Sequence, residues 1–253
     1  MSPTQPELGL ACIVPVYNEA AVLTEAITML VTNLRQTLPY EHWQVVIASN
    51  GCTDDTDELA RKLEQTLHPH VRLVVCSQKG RGKALREVFG EVPAQRYLYI
   101  DVDLPCELDD LARVLRPLDD GYDLVTSHRT GYRPPLRRTM TLSLRLLNRG
   151  LFGVRVSDSQ CAVKALSPKA AKVLVEDCQQ TGWYLDTELV VLGQVRGLRW
   201  TEVPIHWVER RFPQRTSKVD VWDDSWKALR SLRQIWRRRR ALARTLAASP
   251  SSQ

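Results

Sequence analysis

Leu10-Ala11-Cys12-Ile13-Val14-Pro15-Val16, followed by Tyr17-Asn18-Glu19, decides the fold. The first seven residues are apolar without interruption. That length suits a strand buried on both faces and is too short for a core helix. From Glu19 to Leu38 the pattern changes: Val22, Leu23, Ala26, Ile27, Leu30 and Leu34 recur at helical spacing. Strand then helix is the opening of a βα unit, and the alternation continues. Trp43–Ala48 reads as a strand, and Asp54–Leu67 as a helix with acidic residues in its first turn, where the dipole favours them. Val71–Val75 is a third strand, Gly82–Gly90 opens a third helix, and Tyr97–Ile100 is a fourth strand. This order predicts an α/β fold with a mostly parallel central sheet and helices on both faces. One domain with an irregular second half is expected.

Composition bounds the function classes. The chain has 253 residues, 43% hydrophobic and 25% charged, which excludes disordered and collagen-like chains. Its apolar runs fall short of the ~20 residues of a membrane span. Residues 1–8 are polar and lack a basic segment, so no secretory signal is expected. Cys12, Cys52, Cys76, Cys106, Cys161 and Cys178 form no C-x-x-C pair, and free thiols in a reducing compartment are expected. Charge is lopsided. From Glu209 onward there are 12 basic and 4 acidic side chains, against 23 and 25 before it. The basic tail points to a polyanion: phospholipid, nucleic acid or a phosphorylated substrate.

In parallel sheets ligands bind beyond the carboxyl ends of the strands. The polar clusters at 17–19, 49–51, 78–83 and 101–103 all fall there. Asp101-Val102-Asp103 can share Mg²⁺ or Mn²⁺, hard cations that take oxygen ligands and substrate phosphates; alternatively the pair caps a helix starting near Glu107. Gln78-Lys79-Gly80-Arg81-Gly82-Lys83 reads as a phosphate cradle at a helix start or as a plain basic turn. It has neither Walker A nor Rossmann spacing. Arg129, Arg133, Arg137, Arg138 and Arg145 crowd one segment, beside Thr141 and Ser143. They suit a phosphate-bearing acceptor, since Arg forks match phosphate oxygens, or simply the polar side of an amphipathic helix.

Eight segments then occur in order: IVPVYNE (13–19), ASNGCTDDT (48–56), KGRGKALRE (79–87), DVDLP (101–105), SHR (127–129), DSQCAVKA (158–165), GWYLDTELVVL (182–192) and EVPIHWVER (202–210). Together they resemble glycosyltransferase family 2, and within it the polyprenyl- and dolichyl-phosphate sugar synthases, nearest the dolichyl-phosphate glucosyltransferase branch. The resemblance spans about residues 9–218. It implies a GT-A nucleotide-diphosphosugar transferase fold at 9–218, a basic amphipathic helix at 219–246, and flexible ends at 1–8 and 247–253.

The resemblance also implies roles. Pro15, Tyr17 and Glu19 would line the nucleoside pocket, with Ser49 and Asn50 against the base and Lys83 near the nucleotide. Asp101 and Asp103 would be the metal carboxylates, Asp103 the more direct ligand and Asp101 facing the ribose and sugar. Arg210, with Ser217 and Lys218, would close over the diphosphate. Arg129, Arg137 and Thr141 would meet the acceptor phosphate. Asp158 and Asp186 are the catalytic candidates. Asp158 is expected nearer the reacting centre, through the metal or a basic neighbour. Asp186 and Glu188 alternatively cap the helix running to Gly197, and Trp183 either flanks the sugar or packs. Relatives carry D-D-G-S or D-N-G-S where this chain has Ser49-Asn50-Gly51-Cys52, which leaves the base, uracil or guanine, open. Pro105 likewise stands where some relatives carry a polar residue.

The activity implied is an inverting transfer of a hexose, glucose ahead of mannose, from a nucleotide-diphosphate sugar to a polyprenyl or dolichyl phosphate. Mg²⁺ or Mn²⁺ would be the cofactor, and the product would serve a cell-envelope glycan. A lipid monophosphate is ionised near pH 7 and needs positioning more than a base; a sugar, protein or small-molecule hydroxyl acceptor would need one. The tail carries Trp222, Trp226, Leu229, Leu232, Ile235 and Trp236 among basic residues. It suits an anionic membrane surface, or packs its tryptophans on the body. The expected location is cytoplasmic, peripheral on the inner membrane face. An integral membrane partner or a homo-oligomer is compatible, and no nucleic acid is expected. A non-catalytic membrane or nucleic-acid adaptor is the distant alternative.

Overall fold

The computed structural model describes residues 8–76, 79–131, 135–208, 211–213 and 221–248, without the side chains of 135–137 and 221–227. Leu10–Val16 forms β1, and every residue of it is buried, as an uninterrupted apolar run between two helical layers requires. Helix α1 spans Ala20–Thr37, β2 Trp43–Asn50, α2 Thr56–Thr66, β3 Val71–Cys76, α3 Arg81–Glu91 and β4 Tyr97–Tyr99. After these come α4 (Asp110–Asp119), β5 (Leu124–Thr130), α5 (Pro135–Phe152), β6 (Lys164–Leu166), α6 (Pro168–Glu176), α7 (Leu185–Val195), β7 (Trp200–His206) and α8 (Val221–Ala248).

The seven strands form one sheet in the order β3-β2-β1-β4-β6-β5-β7. Pairings β1–β2, β1–β4, β2–β3 and β5–β7 are parallel. The three-residue β6 runs antiparallel to both neighbours and joins the two parallel halves. Alternation along β1 divides the core. Leu10, Cys12, Val14 and Val16 face a cluster built with α1, α2 and α4; Ala11 and Ile13 face one built with α3, α6 and α7. Five of the six thiols are buried, and burial pushes Cys12 up to about 12.

Element boundaries shift by one to three residues from the sequence reading, and two of the shifts bear on the site. Strand β2 runs two residues further, so Ser49 and Asn50 lie inside it, paired with Val75 and Cys76 of β3. Helix α4 starts at Asp110 rather than near Glu107, because the Glu107 N–H bonds to the His206 carbonyl (3.0 Å) and Cys106 bridges to Trp207. No described helix is long and apolar enough to cross a membrane. Helix α8 rests on the body through buried Leu232 and Ile235, with Trp236 and Leu242 partly buried beside them. The side chains of Trp222 and Trp226 lie outside the described residues.

Candidate active site

The turns after β1 and β2 are tied to each other. Asn18 sits in the left-handed region (φ 52°). Its amide donates to Thr53 Oγ1 (3.0 Å) and accepts from the Thr53 N–H (2.8 Å). Buried Glu19 donates its main-chain N–H to Thr56 Oγ1 (2.8 Å). Pro15 is buried within β1 opposite Ala48. Tyr17 is half-buried, and Lys79 donates to its hydroxyl (2.9 Å) while lying 4.1 Å from its ring centroid. Ser49 is fully buried and donates to Asp57. Asn50 donates to the Val16 carbonyl (2.6 Å) and accepts from the Gly80 N–H (3.1 Å). Both side chains therefore brace the strand ends, and the residues at the rim are Tyr17, Cys52 and Lys79.

The expected phosphate cradle at the start of α3 takes another form. Gly80 has φ 141°, open to glycine alone among ordinary residues. At Gly82 a Cβ would fall 2.2 Å from the Gln180 carbonyl oxygen, and its N–H bonds to Thr181 O (2.8 Å). The Lys83 and Ala84 N–H groups bond to Gly80 O. These backbone donors are taken by protein acceptors, so the turn presents its charge through side chains. Lys83 lies in the first turn, half-buried.

Arg81 centres the site. Its Nε lies 3.1 Å from Asp101 Oδ1 and its Nη1 2.8 Å from Asp186 Oδ2. Asp186 also accepts from the Tyr99 hydroxyl and from Lys164 Nζ (3.1 Å), and it is 1% exposed. Lys164 is wholly buried in β6 and also donates to the Cys161 carbonyl (2.5 Å). Burial pushes the Asp186 carboxyl up, but Arg81 and Lys164 outweigh it and hold it below the ordinary range. Burial and Asp186 together push the Tyr99 phenol well up. Arg81 Nη2 is buried and finds no hydrogen-bond partner among the described residues. The guanidinium lies 5.3 Å from the ring centroid of Trp183, which is 45% exposed and so stands over the cluster from the solvent side. After β4, the Leu104 N–H closes on Asp101 O (3.0 Å), with Leu104 buried at φ 44°. A non-glycine residue held there costs about 1 kcal/mol or more, and its burial holds it in place. This turn carries Asp103, half-buried, beside Asp101.

On the other half of the sheet, Arg129 at the end of β5 forks onto Asp158, at 2.5 Å (Nε–Oδ2) and 2.8 Å (Nη2–Oδ1). Asp158 is buried, and Trp207 lies 4.8 Å beneath the guanidinium. The Asp158 loop is held from several sides. Ser157 donates twice to Glu202 (2.7 and 3.0 Å). Asn148 Nδ2 of α5 donates to Ser159 Oγ (2.9 Å), which pairs with Thr187 Oγ1 of α7 (3.1 Å). Thr141 is half-buried on α5. Arg210, Ser217, Lys218 and the Arg137 side chain lie outside the described residues.

Neither Asp186 nor Glu188 caps α7, whose N-cap position is Tyr184 and whose first turn receives no side-chain cap hydrogen bond. Glu188, fully buried, instead accepts from the Gln179 and Gln180 N–H groups (2.8 and 2.7 Å) and from Arg238 of α8. Gln180 Nε2 adds a bond to Gln234 of α8 (2.8 Å). Arg81, Tyr99 and Lys164 were not singled out by the sequence. One signal was available: Lys164 is a lone charge in the apolar run Ala162–Leu166, which asks for a buried counter-charge.

Glycosyltransferase AglD of Haloferax volcanii is 29% identical over 225 residues, which cover 85% of this chain and 35% of AglD. The undecaprenyl-phosphate 4-deoxy-4-formamido-L-arabinose transferase of Salmonella typhimurium is 23% identical over 205 residues, covering 80% of this chain and 61% of the relative. The chain thus spans only part of both relatives. Among solved structures, glucosyl-3-phosphoglycerate synthase from Mycobacterium tuberculosis in complex with UDP superposes with a TM-score of 0.67 at 19% identity, over 90% of this chain and 80% of that one. The same enzyme with Mn²⁺, UDP and glucosyl-3-phosphoglycerate gives 0.66 at 17%, over 93% and 80%. The shared fold is GT-A. The family model described as Glycosyl transferase family 2 matches residues 11–164, more than half of the sequence, and the chain belongs to that family.

Proposed function

We propose that the chain transfers a hexosyl group, glucose ahead of mannose, with inversion, from a nucleoside-diphosphate sugar to a polyprenyl or dolichyl phosphate. The observation that carries this reading is the state of the two candidate carboxylates. Asp186 is saturated by Tyr99, Lys164 and Arg81, and Asp158 is engaged at both oxygens by Arg129. A hydroxyl acceptor needs a base to take its proton; a phosphate monoester arrives already ionised and needs cationic positioning. The name of the Salmonella relative, an undecaprenyl-phosphate sugar transferase, supports the same acceptor class.

In this reading a phosphate oxygen of the acceptor, oriented by Arg129, attacks the anomeric carbon as the bond to the donor diphosphate breaks. Asp158 holds the Arg129 guanidinium in plane. Asp186 acts as a positioning counter-charge that fixes Arg81, whose buried Nη2 is the donor left for the sugar nucleotide. Tyr17 and Lys79 flank the nucleoside, and Trp183 covers the sugar side. Asp103 and Asp101 fit a hard divalent cation in donor type, since both offer only oxygen. Asp101 and Asp103 would hold such a cation together with the donor diphosphate. Mg²⁺ or Mn²⁺ bound there supplies Lewis-acid assistance to the leaving diphosphate. The proposed location is the cytoplasmic membrane face.

Radiolabelled UDP-glucose and GDP-mannose, each with polyprenyl phosphate and Mg²⁺ or Mn²⁺, test this. Metal-dependent label in the lipid fraction is expected, and the preferred donor identifies base and sugar. Label reaching only sugar, protein or small-molecule hydroxyls refutes the acceptor.

A further inference from the structure

Helix α5 carries apolar side chains that no other described element covers. Its inner line, Leu144, Asn148 and Phe152, recurs every four residues and packs on the body, with Leu144 and Phe152 in the second core cluster. Met140, Leu147 and Leu151 flank that line on one side and Leu142 and Leu146 lie opposite it; all five are between 43% and 61% exposed. These five are most of the exposed large hydrophobic residues among the described ones. Isolated exposed leucines are ordinary; five large apolar side chains along the outer half of one helix are not. The edge of this face is cationic. Arg138, Arg145 and Arg149 are exposed along one side, and the helix carries no acidic residue.

We propose that the outer face of α5 lies in the surface of an anionic lipid bilayer, its leucines among the acyl chains and its arginines at the phosphate level. The argument is charge complementarity. A strip of large apolar side chains with an arginine rim and no carboxylate matches a surface that is apolar inside and anionic at its rim. The position suits the proposed chemistry. Asn148, on the inner side of the same helix, holds Ser159 next to the Arg129–Asp158 fork. A bilayer against α5 therefore lies along the helix that braces the acceptor site. This deepens the proposed function and rests on it for the role of the surface.

The test uses the full chain with phosphatidylcholine vesicles, with and without phosphatidylglycerol. Wild type is expected to co-sediment with the anionic vesicles. L146E/L147E should lose about tenfold or more in partitioning, since two apolar anchors become charges of the wrong sign. R138Q/R145Q should weaken anionic binding by about fivefold per arginine and leave binding to neutral vesicles unchanged. All these positions are exposed, and an unchanged thermal midpoint confirms folding. Unchanged vesicle binding by L146E/L147E overturns the proposal. So does a shift from dimer to monomer without loss of vesicle binding, which would make the face a contact between copies. So does a loss confined to L229E on α8. Transfer assays separate this from the functional reading. L146E/L147E should keep transfer to a short, water-soluble prenyl phosphate and lose transfer to a vesicle-embedded one. If wild type transfers to neither, the functional reading fails while the sedimentation result still decides the bilayer.

Discussion

Replacing Asp186 by Asn removes one negative charge from a cluster that depends on it. Lys164 is wholly buried, and its remaining partner is the Cys161 carbonyl. Arg81 keeps Asp101 at 3.1 Å and is less affected. Leaving a buried cation without its counter-ion costs about 3–5 kcal/mol, a large part of the ~5–15 kcal/mol that stabilises a typical domain. With a urea m-value of roughly 3 kcal/mol/M for a chain of this size, the unfolding midpoint should fall by about 1–1.7 M. Adding Lys164→Met removes the stranded charge, so K164M/D186N should recover about 2 kcal/mol relative to D186N. Urea titration followed by circular dichroism, alongside transfer at matched folded fraction, decides the matter. The reasoning is wrong if D186N moves the midpoint by less than about 0.3 M, or if the double variant loses the sum of both singles. A D186N protein of native stability with no activity at any pH would make Asp186 a base instead of a counter-charge.

Asp186 also sets an acid limit. Its folded pKa lies below the unfolded one, so its stabilisation is complete above the ordinary aspartate value and fades as pH falls through the depressed one, below about 4. Urea midpoints measured down this range should drop steeply in wild type and less so in D186N. Gly82→Ala places a methyl 2.2 Å from the Gln180 carbonyl oxygen. Backbone must move there, at about 1–3 kcal/mol, seen as a thermal midpoint lower by several degrees together with weaker donor binding by calorimetry. Arg129→Lys keeps the charge and loses the fork on Asp158. Transfer assays should show kcat/KM for lipid phosphate falling about 10–100-fold, with the donor KM within about twofold.

The first half of the fold was legible because its signals are local. Leu10–Val16 is apolar throughout since both faces of β1 are covered, and the helical spacing in α1 marks the face that covers one of them. The second half was harder for a physical reason. Strand β6 has three residues and reverses direction, so its place rests on pairing with β4 and β5 and not on any periodicity. Site residues divide the same way. Asp101, Asp103, Asp158 and Arg129 stand at strand ends or in motif runs, where a polar residue after an apolar stretch is conspicuous. Ser49 and Asn50 stand out in the sequence as polar residues after an apolar run, but their bonds to Asp57, Val16 and Gly80 come from elements distant in the chain and no spacing announces them. Arg81 and Lys164 act through Asp186, and that connection crosses 105 and 22 residues of chain, beyond the reach of spacing.

The seating of α8 has a practical consequence for anyone trimming this chain. Arg238 and Gln234 reach Glu188 and Gln180, and the neighbouring Thr181 carbonyl receives Gly82 at the head of α3. A truncation ahead of Leu232, made to discard an arginine-rich end, would strand a buried carboxylate and slacken the contacts that seat the turn at the head of α3. Sluggish turnover in such a shortened protein would then reflect a loosened α3 turn, which the proposed function sets beside the donor, as readily as the loss of the tail itself.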